Sequence, residues 1–150
     1  MSAGAIAFHL CRVGIFAHPL LIAWDAYAQW SVFSDPQVKV AILSERRTTL
    51  FLLGILSFAV TGAMVLPATV LALRFLVCAP RFVGHYVTFL AVRVGASVVL
   101  GAAMLADTGG ILLLDAGDFA LDAARKIVAA VVWGAYLWRS EAVREYLAWG

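Results

Sequence analysis

From Thr48 to Leu73 the chain carries no Asp, Glu, Lys or Arg. A helix needs about 20 mostly apolar residues to cross the hydrocarbon core of a bilayer, and this run, bounded by Arg47 and Arg74, exceeds that length. A small soluble domain has no room to hide such a helix. Of the 150 residues, 64% are hydrophobic and 13% charged, against about 45–50% apolar and about 25% charged in soluble domains. Lipid has to cover part of this chain.

Three further stretches approach the same length. Residues 84–106 are interrupted by one charge, Arg93, and contain the small-residue pair Ser97/Gly101, the kind of face on which helices in lipid approach closely. Within residues 8–33, Asp25 separates the uncharged stretch Val13 to Trp24 from a second that runs from Ala26 to Ser34. Residues 119–139 begin with Asp122, Arg125 and Lys126, so the uncharged part from Ile127 to Trp138 spans only about 18 Å. Its charged turns must lie at the interface or pair within the bundle. The spacing predicts one transmembrane domain over residues 1–150, an all-α integral membrane bundle of four transmembrane helices at about 8–33, 48–73, 84–106 and 119–139. Pro67 is tolerated within the second, because neighbouring helices re-satisfy a freed backbone group. Asp35-Pro36 and the stretch to Leu43 read as an interfacial helix or a loop, and Asp107 to Asp118 reads as a turn region.

Charge sets the orientation. Asp107, Asp115 and Asp118 share a connection free of Lys and Arg, whereas Arg74 and Arg81 share one free of acid. The positive-inside rule then puts both termini in the cytoplasm, with Lys39, Arg46 and Arg47 counting against it. Trp133, Tyr136, Trp138, Tyr146 and Trp149 crowd one end of the last span, as an interfacial aromatic belt would. Arg12, an apolar run and Ala26-Tyr27-Ala28 mimic a signal peptide, but Asp25 and His18-Pro19 interrupt the pattern and argue against cleavage. A net charge of +2 with scattered basic residues excludes a nucleic-acid partner. Cys11 and Cys78 form no CxxC motif and read as packed thiols.

The stretch from Ala123 to Tyr146, with Arg125, Trp133, Tyr136, Ser140, Val143 and Tyr146 in register, resembles the C-terminal signature of a bacterial family of four-helix membrane proteins, Domain of Unknown Function 2569. Ala135 stands where that family has Pro, and Glu141-Ala142 where it has a basic pair. The Ala79-Pro80-Arg81-Phe82 step is similar to the family's basic, Phe-Pro-containing connection. The resemblance implies a four-span topology in a bacterial inner membrane. It implies no activity.

Few residues are equipped for chemistry. A charge at bilayer depth costs about 2.5–3.5 kcal/mol unless paired or hydrated, which makes Arg93 the first candidate, either for an ion pair with Asp25 or for gripping an anionic ligand. Asp25, Asp122 and Arg125 are expected in one half of the membrane, with Asp122 and Arg125 as i,i+3 neighbours. His18 and His85 are weak candidates for a b-type haem, two histidines on two helices being its minimal ligand set. No metal cluster, nucleophile–base set, P-loop, GxSxG or HExxH occurs, so neither an enzyme nor a cofactor is expected. The expected role is a non-enzymatic structural or accessory subunit, packing with itself or with a membrane partner. One alternative is a small transporter or channel component with a polar site at Arg93; another is a haem-binding subunit. The structural role requires an interior filled by side chains, the transporter a cavity reaching Arg93.

Overall fold

The computed structural model describes residues 3–44, 48–79, 81–108 and 116–148. Expectations resting on Arg46, Arg47, Pro80, Trp149 and the turn at 109–115 lie outside the described residues. Every regular element among those described is an α-helix: α1 (Ala3–Ser34), α2 (Pro36–Ser44), α3 (Thr48–Ala63), α4 (Val65–Leu76), α5 (Phe82–Thr108), α6 (Ala116–Arg139) and α7 (Glu141–Ala148).

Three helical segments, Ile6–Ser34, Thr48–Leu76 and Phe82–Asp107, are long and apolar enough to cross a membrane. In the most apolar part of Thr48–Leu76 only 11% is buried within the protein. Leu20 and Leu66 stand 73% and 72% exposed, and Val13, Leu52, Val99 and Val131 also face outward. A monomeric soluble protein rarely exposes a contiguous apolar patch beyond a few hundred Å², so this surface suits acyl chains.

The second expected span is two helices rather than one. Pro67 lacks an N–H, and its ring collides with the carbonyl four residues earlier, that of Ala63. The helix breaks there, α3 ending at Ala63 and α4 resuming at Val65 to run past the expected end as far as Leu76. The first span starts at Ala3, a turn before the expected residue 8, and keeps Pro19 inside it.

The segment after Asp35 is the helix α2. Asp35 Oδ1 accepts the Gln37 N–H at 2.7 Å and its carbonyl accepts the Lys39 N–H at 3.0 Å, with Pro36 at the first helical position, where no N–H is needed. Asp35→Ala should cost α2 about 1 kcal/mol. Hydrogen exchange at the Gln37 to Lys39 amides checks this, with protection falling several-fold.

α7 is likewise capped, by Ser140 Oγ accepting the Val143 N–H at 3.4 Å. It folds back so that Val143 is fully buried and the Tyr146 ring lies 4.9 Å from that of Phe75. This alters the expected aromatic belt. Trp133, Tyr136 and Tyr146 pack inward against the core, while Trp138 alone of the described four is mostly exposed.

Two apolar clusters hold the bundle. One joins α1, α4, α5, α6 and α7 around Cys11, Ile15, Phe75, Phe82 and Leu137. The other, at the opposite end, joins Ile42 of α2, Leu50 of α3 and Met104 of α5, with Phe33 against them. Ser97 and Gly101, expected to mark a close helix contact, do face α6. There they receive a lysine head and a phenyl ring, since a Cβ at Gly101 would run into Phe119.

Candidate functional site

Between the two apolar clusters lies a chamber of about 300 Å³. Helical periodicity builds it. Residues three, four or seven apart share a face, and the chamber face of α1 carries Gly14, His18, Leu21, Asp25 and Gln29. That of α3 carries Ser57, Val60 and Thr61, that of α5 Tyr86, Leu90, Arg93 and Ser97, and that of α6 Lys126, Ala130 and Trp133. Much of the outer face of these helices is apolar.

Arg93 organises one wall. Its Nη2 donates to Asp25 Oδ2 at 2.6 Å and its Nη1 donates to His18 Nε2 at 2.6 Å. A guanidinium can only donate, so Nε2 of His18 must be an acceptor and the ring is neutral. Its other nitrogen, Nδ1, then carries the proton and donates to the Tyr86 hydroxyl at 2.7 Å. Asp25, Arg93, His18 and Tyr86 form one chain of hydrogen bonds between α1 and α5. Asp25 engages Arg93 through one oxygen, and the cation keeps the rest of its five N–H donors.

A second wall is neutral. Gln29 Oε1 accepts from Ser57 Oγ at 3.0 Å, and Gln29 Nε2 donates to Thr61 Oγ1 at 3.2 Å, linking α1 to α3. A third is basic: Lys126 Nζ donates to Ser97 Oγ at 3.1 Å and pairs with Asp122 at 2.7 Å, one turn back on α6. Lys126 lines the chamber and Asp122 does not.

The structure therefore unites Arg93 with Asp25, and sets Asp122 against Lys126 rather than beside Arg125 or Asp25. Arg125 lies on the exposed face of α6. His18 and His85 are not brought together. His85 is exposed, its Nδ1 accepting from Arg74 Nη1 at 3.3 Å, and both ring nitrogens of His18 are engaged, which leaves no lone pair for iron. Among the described residues no group of three or more His, Cys, Asp or Glu is placed to hold a metal.

Reading single charges one at a time passes over Gln29, Ser57, Thr61, Tyr86 and Lys126. The missed signal is the i,i+4 spacing of polar residues within apolar runs: Asp25/Gln29, Ser57/Thr61, Arg93/Ser97 and Asp122/Lys126.

The helices enclose the chamber unevenly. α6 packs along α5, and it meets α1 where the Trp133 ring lies over Gly14, so closely that a Cβ there would stand 2.9 Å from the ring. Comparison with family models, curated proteins and solved structures finds no match to this chain, so the chemistry of the chamber has to be argued from its own residues.

Proposed function

We propose that this chain is a multi-pass protein of a bacterial inner membrane whose four-helix bundle serves as a small transporter component, working as an oligomer, with the chamber as its solute site. The observation that carries this reading is a largely apolar space of about 300 Å³, set between two apolar clusters, onto which charged and polar groups from four helices open. A subunit serving only to pack against partners gains nothing from an unfilled interior that holds charged groups, because packing is the main force that joins helices in lipid. The neutralised Arg93–Asp25 pair is common to both roles; the chamber is not.

In this proposal α6 is the fourth span. Its 24 residues are long enough, and the pairing of Lys126 with Asp122 and Ser97 offers a way to carry its charged turns inside the bundle. The charge bias of the connections favours both termini in the cytoplasm. The resemblance of residues 123–146 to Domain of Unknown Function 2569 supports the bacterial inner membrane. No reacting group is proposed, since the polar residues pair with one another and form no nucleophile–base set.

Sided thiol labelling tests the role. In a Cys11→Ala/Cys78→Ser background, Ser57→Cys and Ser97→Cys should react in proteoliposomes with a charged, membrane-impermeant reagent. For a transporter the reaction should proceed from both faces, with Leu20→Cys inert. Failure of both chamber positions to react from either face would return the chain to the role of a structural subunit.

A further inference from the structure

We infer that the chamber binds a small amphiphilic oxyanion, a carboxylate or phosphate monoester head on a short apolar body, gripped by Arg93 and Lys126. This rests on the chamber being a solute site and adds what that solute is.

The argument is one of donors against acceptors. Lys126 and Arg93 both line the space, and among the described residues Asp25 is the single carboxylate that does so. Asp122, which balances Lys126, sits behind it, with its side chain 56% exposed. Arg93 and Ser97 are one turn apart on α5, and Lys126 reaches Ser97, so the lysine head sits at the turn next to the one that carries Arg93.

The acceptors are largely consumed internally. Gln29 Oε1 is taken by Ser57 and approached by Thr61, and His18 Nε2 by Arg93. What remains toward the chamber, beside the second carboxylate oxygen of Asp25, is mainly N–H: the unused guanidinium donors of Arg93, the third ammonium proton of Lys126 and the second amide proton of Gln29. An uncompensated donor in a low-dielectric site is costly, and an oxyanion supplies the missing lone pairs through charge-assisted bonds. A cationic or purely apolar guest leaves them unmet.

Size and lining set the other end of the molecule. An apolar cavity of about 150 Å³ holds benzene, so about 300 Å³ accommodates a head group with a short chain or a ring. Leu21, Val60, Met64, Leu90 and Trp133 provide the apolar wall. A diacyl lipid is too large to enter whole, although its head group carries the same oxyanion chemistry.

Titration calorimetry on the full chain in maltoside micelles tests this with three six-carbon probes, hexanoate, 1-hexanol and hexylammonium. Hexanoate should bind saturably and at least roughly tenfold tighter than the other two, the ratio expected of one or two charge-assisted hydrogen bonds. Lys126→Met should weaken hexanoate by about tenfold. The variant's thermal melt and monodispersity, measured on the same sample, should stay those of a folded protein. The double variant Asp25→Asn/Arg93→Gln, which removes both charges of the pair together, should also bind hexanoate more weakly. Phosphatidate in the micelle should displace hexanoate if a lipid head is the natural source, and should leave it bound if the source is a free anion. Equal binding of hexylammonium or hexanol, absence of hexanoate binding, or full hexanoate affinity in both variants overturns the assignment. Thiol labelling that reaches Ser57→Cys without hexanoate binding removes the oxyanion and leaves the solute site standing; no labelling removes both.

Discussion

Asp25→Ala destabilises the bundle by roughly 2–3 kcal/mol, and adding Arg93→Leu to it restores most of that loss. Breaking a fully buried ion pair by removing one partner costs about 3–5 kcal/mol, because the other charge is left uncompensated. Here the cost is discounted, since the chamber leaves the side chains of Arg93 and Asp25 24% and 43% exposed. Removing both charges is a different operation, because an apolar pair of similar volume is often neutral or better. His18 Nε2 then loses its donor, which keeps the recovery incomplete. Unfolding in mixed micelles by sodium dodecyl sulfate titration, run as a double-mutant cycle, measures the coupling. Additive losses from the two single variants would mean that the pair does not act as a unit.

Gly54→Ala and Gly101→Ala each cost about 1–3 kcal/mol, the range for forcing extra atoms into a packed region. A Cβ on Gly54 would run into the Phe33 ring, and one on Gly101 into the Phe119 ring. These rings seat α1 against α3 and α6 against α5 near the apolar end that holds Ile42, Leu50 and Met104. Each added methyl therefore requires the half-buried ring or its helix to shift. Gly62→Ala and Gly95→Ala are the controls, since a Cβ at either meets nothing within 4 Å. They should be neutral or gain up to about 1 kcal/mol from helix propensity. The same unfolding titration separates the two pairs, and equal behaviour of all four would contradict the packing described.

The helices were legible because length and absence of charge decide them, as Thr48–Leu73 illustrates. The break at Met64 was not, although Pro67 was visible, since a proline within a span bends or breaks a helix according to what its neighbours offer the freed carbonyl. At the site, the pairing of Arg93 with Asp25 followed from the cost of an unpaired charge. The partner of Asp122 did not: i,i+3 and i,i+4 neighbours are equally close on a helix surface, and Ser97 on α5 draws Lys126 rather than Arg125 toward the interior. The chamber itself was out of reach. Whether side chains fill the space between four helices depends on how those helices are set against one another, and no local pattern in one helix encodes that.

Collision-accessibility measurements by electron paramagnetic resonance along Thr48–Leu76 distinguish an apolar outer surface from an inner chamber onto which polar groups open. Nitroxides placed one at a time in lipid-reconstituted protein should meet oxygen best at Leu52, Leu56 and Leu66, which face outward, and a polar nickel chelate best at Ser57 and Thr61, which face the chamber. Nickel chelate reaching the leucines as readily as the chamber positions, or failing to reach Ser57 and Thr61 at all, would contradict the account.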